Sequence, residues 1–267
     1  MARISYLAVL SRAPETLAAF YGRYFGFEKL GESADGDISL TDGGFNLTFF
    51  RERPTLGEPR METGLHHIGI AVDSIDDVVK AYLEHYPRGT VRDESGEIGR
   101  GEVRIHDPEC NPVSLSERNF GLGGGGTSRI PRIAHVALNA LDPETVEGFY
   151  QNLFGYPELW EAHAKRRHEP GYRNRHVGDG HTNVAIQSFY NDSVGHEARM
   201  GIAHIGILVP DSAAMAEQVK GAATITRRPA ERTQSEARMR DPEGNGCDLS
   251  QRGWEIEIDT WARADAG

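Results

Sequence analysis

Three histidines stand in near-copies of one apolar segment: LHHIGI at Leu65 to Ile70, IAHVAL at Ile133 to Leu138 and IAHIGI at Ile202 to Ile207. Imidazole binds divalent metals and moves protons near neutral pH, so His67, His135 and His204 could do chemistry that their apolar neighbours could not. A single histidine in an apolar strand is more often a core residue with a satisfied hydrogen bond, and that reading suits His67, which has no partners. It suits His135 and His204 less well. They are repeat-related, and Asp248 ends the matching strand, where a buried acid would otherwise need compensation of its own.

These segments belong to a longer unit. A fourth copy, ISYLAV at Ile4 to Val9, has Tyr6 in place of the histidine, and the copies start 61 (6 to 67), 68 (67 to 135) and 69 (135 to 204) residues apart. Each start is followed by a helix signal. Asp142-Pro143 supplies an N-cap and a first-turn proline, and Gly155 ends the pattern; Pro14 to Phe27, Ser74 to Asp77 and Asp211-Ser212 repeat the design. Short β-rich runs bounded by Gly, Asp and Asn come next, so the unit reads strand, helix, then about three strands. HDPECNPVSLS, His106 to Ser116, matches RDPEGNGCDLS, Arg240 to Ser250, a tight turn feeding a last strand. GLGGGGTS, residues 121–128, reads as a flexible linker between an N-terminal domain over 1–120 and a C-terminal domain over 129–267. The class is α+β.

Composition excludes several partners. With 29 Lys+Arg against 40 Asp+Glu, the net charge of -11 repels nucleic-acid phosphates and anionic lipid. No run is long enough to cross a bilayer, and MARISYLAVL lacks the pattern of a signal peptide. Two cysteines, Cys110 and Cys247, imply no disulfide framework and fit a reducing cytoplasm. A homo-oligomer is a reasonable expectation for small sheets with apolar surface.

A βαβββ unit used in pairs, with a metal ligand at the end of its first strand and another in its last, resembles the vicinal oxygen chelate superfamily. That superfamily includes glyoxalase I, methylmalonyl-CoA epimerase, antibiotic-resistance proteins and the two-domain extradiol dioxygenases. The resemblance covers nearly the whole chain. It implies four units paired into two domains, each a curved mixed sheet forming an open cup.

At the superfamily's ligand positions the N-terminal half offers Tyr6, Asn46 or Thr48, His67 and Ser114, of which only His67 is a good ligand. The C-terminal half offers His135, Gln187, His204 and Asp248, so the resemblance places the metal there, on His135, His204 and Asp248. Two neutral imidazoles and a carboxylate take one face of an ion and leave adjacent positions for a substrate that chelates through neighbouring oxygens. HTNVAI, His181 to Ile186, is similar to the extradiol family's proton-handling histidine followed by Thr and an apolar strand. A histidine in a turn beside Asp179-Gly180 is the competing reading.

Two positions depart from the extradiol pattern. The last-strand carboxylate is Asp248 where the family has Glu, and ten residues before it Arg238 replaces a tyrosine. Arg238 could hold an anionic group of the substrate, since guanidinium binds carboxylate bidentately. Gln187 points toward glyoxalase or epimerase chemistry if it ligates; if Ala185 faces inward instead, the open triad favours iron and oxygen.

The expected function is therefore an Fe(II)-dependent extradiol-type dioxygenase taking a catechol-like small molecule and O2. A non-oxidative isomerase, epimerase or lyase with Mn(II), Ni(II), Co(II) or Zn(II), and a small-molecule binding or resistance protein, are the alternatives. Trp254 and Tyr172 are expected as walls of the cup, and Arg173, Arg175 and Arg199 as sources of local positive charge.

Overall fold

The computed structural model describes residues 2–53, 63–94, 100–122, 129–159, 174–189, 199–227 and 235–254. Tyr172, Arg173 and most of the Gly-rich segment lie outside them.

The first unit runs β1 (Arg3–Ser11), α1 (Pro14–Phe25), β2 (Glu28–Glu32), β3 (Ile38–Thr41) and β4 (Asn46–Arg51). The second runs β5 (Gly64–Ala71), α2 (Ile75–His85), β6 (Arg92–Asp93), β7 (Val103–His106) and β8 (Pro112–Ser116). Unit three has β9 (Arg132–Ala140), α3 (Pro143–Phe154), β10 (Arg175–Gly178) and β11 (Asn183–Ser188). Unit four has β12 (Gly201–Leu208), α4 (Ser212–Val219), β13 (Thr224–Arg227), β14 (Ala237–Arg240) and β15 (Gly246–Ser250). Strand, helix, three strands is thus met in units one, two and four. In unit three the place of the first of those strands is marked by a bridge from Glu158 to Val177.

The units pair as expected. One sheet is ordered β2-β3-β4-β1-β5-β8-β7-β6 and the other β10-β11-β9-β12-β15-β14-β13, which is the same order with one edge strand fewer. First strands meet antiparallel at the centre, and each lies parallel to a last strand. The result is two curved mixed sheets in an α+β chain.

Local chemistry fixes the helices. Ser74, Asp142 and Asp211 accept hydrogen bonds from the N–H groups of Asp77, Thr145 and Ala214 at 3.1, 3.3 and 2.9 Å. Gly26 and Gly155 end α1 and α3 in the left-handed region, at φ +67° and +70°. One apolar core runs through both halves, with Leu17, Phe20, Tyr21 and Phe25 of α1 and Val146, Phe149, Tyr150 and Phe154 of α3 in it.

Polar contacts between the halves are reciprocal. Asp42 accepts from the N–H of Ile133 at 2.7 Å, and Asp179 accepts from that of Ile4 at 2.6 Å. Each aspartate also binds two N–H groups of its own turn. Glu109 accepts from the N–H groups of Leu141 and Asp142 at the start of α3, and Glu243 from those of Arg12 and Ala13 at the start of α1. Ala13, which has no capping side chain, gives its own N–H to Ser11 Oγ and to Glu243 of the other half.

Candidate metal centre

Strand register assembles the site as a row across five strands. Asn183 pairs with His135, His135 with Gly206, Gly206 with Asp248, and Asp248 with Arg238. The first sheet carries the same row as Asn46, Tyr6, Gly69, Ser114 and Arg104. Asn, Gly and Arg recur; the first-strand and last-strand residues differ.

Each row is covered by an aromatic ring that follows the last strand. Trp254 stacks on His135 at 4.5 Å between centroids and 7° between planes, and Phe120 stacks on Tyr6 at 4.5 Å and 6°. Glycine is required beneath the ring. A Cβ on Gly206 would lie 2.1 Å from Trp254 Cη2, and one on Gly69 would lie 2.4 Å from Tyr6 Cδ1. Trp254 is thus the aromatic partner of His135.

His135, His204 and Asp248 are all buried. His204 Nε2 stands 3.3 Å from Asp248 Oδ2, and the two imidazole centroids are 5.4 Å apart. Burial, with the charge of His204 adding to it, lowers the His135 pKa to about 3, so the ring is neutral and keeps a lone pair. His135 Nδ1 meets Asn183 Oδ1 at 3.0 Å, which fixes the tautomer with Nδ1 protonated and Nε2 available. Asn183, not legible as functional in the sequence, is the orienting partner.

Arg238 lies on this group. Its Nε donates to Asp248 Oδ1 at 2.5 Å and Nη2 to Oδ2 at 3.0 Å, while Nη2 is 3.5 Å from both nitrogens of His204. Arg104 holds the equivalent place in the first sheet. It stands 3.3 Å from His67 Nε2 and pairs with Glu94, which accepts from Ser114 Oγ at 2.6 Å.

The other expected residues lie elsewhere. β11 begins at Asn183, so His181 is an exposed turn residue, its N–H donating to Asp179 Oδ1 at 2.7 Å, and strand alternation does not relate it to Gln187. Gln187 pairs with Asn139 rather than His135. It is four residues beyond Asn183, about 13 Å along the strand. Arg175 pairs with Glu144 and Glu147 of α3, and Arg199 is exposed.

The chain belongs to the Glyoxalase/Bleomycin resistance protein/Dioxygenase superfamily, whose model matches residues 3–115 and 132–249. No curated protein matches. Among solved structures the chain is similar to the Mn(II)-bound glyoxalase from Novosphingobium aromaticivorans, at 17% identity and TM-score 0.67, covering 93% of this chain and 82% of that one. It is also similar to the 2,3-dioxygenase LapB from Pseudomonas sp. KL28, at 14% identity and TM-score 0.63, covering 93% and 90%. A catechol 2,3-dioxygenase matches at 15% identity and TM-score 0.63, covering 93% and 87%. At these identities the likeness is one of fold.

The donor types suit a divalent cation: two imidazoles, one of them held neutral with a free Nε2, and a buried carboxylate. Their present placement is not yet a ligand sphere. Among the described residues no three His, Cys, Asp or Glu groups stand together as a metal site, and both oxygens of Asp248 are turned to Arg238.

Proposed function

We propose that the chain is a metal-dependent enzyme acting on a small molecule with two neighbouring oxygens, and that the reaction is extradiol-type cleavage of a catechol-like ring by O2. The observation that carries the proposal is the adjacency of His204 to Asp248 at 3.3 Å and to His135, whose ring stacks on Trp254. These three residues would hold Fe(II).

The ion would supply Lewis acidity, open positions for the substrate oxygens and, as iron, a path for electrons to O2. The chain's own groups do the rest. Asn183 orients His135, and Trp254 excludes water from one side of the centre. His181, at the turn that leads into β11, would take a proton from the substrate hydroxyl on its imidazole. That role requires the turn to bring the ring to the ligand, because in the structure its side chain is exposed. Arg238 would meet an anionic group of the substrate.

The register gives the non-oxidative alternative no support from Gln187. Cys110 and Cys247 are both free thiols, in keeping with a reducing cytoplasm, and among the described residues no helix is long and apolar enough to cross a membrane.

Anaerobically purified protein reloaded separately with Fe(II), Mn(II), Ni(II), Co(II) or Zn(II) and given a panel of catechols tests this reading by O2 uptake. Fe(II)-dependent uptake that disappears in His204→Ala and falls in His181→Gln at unchanged metal affinity is expected. Metal binding without uptake of O2 on any catechol would reject ring cleavage; absence of metal binding would reject the centre.

A further inference from the structure

We infer that Arg238 and the metal ion compete for Asp248, so that the guanidinium closes the centre until an ion enters and is then released to bind an anionic group of the substrate. This rests on the proposed metal centre and adds a switch to it.

In the observed arrangement Arg238 occupies the groups that an ion would need. Both Asp248 oxygens already accept from Arg238, and Nη2 lies at 3.5 Å from both His204 nitrogens, so the guanidinium covers the carboxylate and the face of the second imidazole together. A dication bound to the same groups would stand a few ångströms from this positive charge, where repulsion in a buried site is strong. Without an ion, a carboxylate 3% exposed needs a counter-charge, and Arg238 provides it.

Exposure shows which partner can move. The Arg238 side chain is 35% exposed, so it can swing toward the cup while Asp248 stays fixed in β15. The first sheet shows the alternative outcome. Arg104, in the same place in the row, holds His67 and Glu94, and Ser114 stands where a last-strand acid would be. There the guanidinium pairs with an acid from outside the row.

The opposite idea is that Arg238 stays on Asp248 and steadies it as an outer partner of the ligand, and the two predict opposite signs. Removing an outer partner weakens metal binding, typically by about 10- to 100-fold. Removing a competitor tightens it. The test is Mn(II) titration of wild type, Arg238→Gln and Arg238→Lys by calorimetry and electron paramagnetic resonance, with benzoate as anionic probe in the presence and absence of Mn(II).

The inference expects Arg238→Gln to bind Mn(II) at least tenfold more tightly than wild type, with Arg238→Lys between them. Benzoate should bind the Mn(II)-loaded wild type more tightly than the metal-free protein, and the difference should vanish in Arg238→Gln. Equal or weaker Mn(II) binding by the variants overturns the competition while leaving the metal centre standing. No Mn(II) binding by any of the three proteins overturns both. Arg238→Lys retains a cation over the carboxylate, so the comparison survives if Arg238→Gln does not fold.

Discussion

Asp42 accepts the backbone N–H of Ile133 at 2.7 Å, joining the turn before β4 to the first residues of β9 in the other sheet. The same carboxylate accepts from Gly44 and Phe45 at 2.8 and 2.7 Å. Replacing it strands three N–H groups, all in buried residues, and orphaned buried donors are costly. Asp42→Ala should lower stability by about 3 kcal/mol, and Asp179→Ala by a similar amount because its contacts repeat those of Asp42. Urea midpoints measure both; a loss below about 1 kcal/mol would show that water substitutes readily at these turns.

Asn183→Ala should act on the metal rather than on the fold. It removes the contact that orients His135 and leaves Nδ1 without its partner. Mn(II) affinity should drop by about 10- to 100-fold, as for other partners of ligating histidines. Asn183→Asp, which keeps an acceptor at the same reach, should restore most of it. Unchanged affinity in Asn183→Ala would exclude His135 as a ligand.

Gly206→Ala should displace Trp254. With 2.1 Å between the added Cβ and Cη2, the indole cannot stay stacked on His135. Its fluorescence should shift to longer wavelength as water reaches it, and bound aromatic ligands should be lost. Gly206→Ala combined with Trp254→Ala should fold better than Gly206→Ala alone, because the clash is gone.

His66 gives a pH dependence. Burial, with the charge of Arg104 adding to it, lowers its pKa from the ordinary 6.5 to about 4. Between those values the unfolded chain carries the proton and the folded chain does not, so stability rises with pH there. The contribution is complete above about 6.5 and is lost as pH falls toward about 4. His66→Gln should flatten this slope by up to about 3 kcal/mol over the window, measured as chemical-denaturation midpoints at successive pH values. Asp42, Asp107 and Asp241, whose pKa values burial raises, contribute with the opposite sign in both proteins and cancel in the comparison.

Repeats made most of the architecture legible. The helix starts at Ser74, Asp142 and Asp211 were readable because a cap and its N–H lie three residues apart. The start of α1 was readable from Pro14, but the acceptor of the N–H groups just before it, Glu243, comes 230 residues after Ala13 in the chain and was not. His135, His204 and Asp248 were found through their repeat positions, whereas Asn183 was hidden by register. His181 falls in the turn beside Asp179-Gly180, the competing reading, because β11 begins at Asn183, and the register that pairs Gln187 with Asn139 was not readable from the sequence. The glycine of the HIGI copies was visible at Gly69 and Gly206, but its reason lies in rings that return four residues after the last strands end. Arg238 was read as a substrate contact; only the hairpin pairing of β14 with β15 shows it seated on Asp248.

The crossed contacts of Glu109 and Glu243 have a consequence for the order in which the molecule is made. As the chain leaves the ribosome, the first two units emerge while Asp179 and Glu243 are still unsynthesised. Until they arrive, the N–H of Ile4 lacks its carboxylate acceptor, and the segment before the first helix has Ser11 but not Glu243 to receive the N–H of Ala13. The earliest part of the polypeptide is thus sealed by one of the last turns, which postpones its final consolidation and ties the maturation of both cups to a single late event.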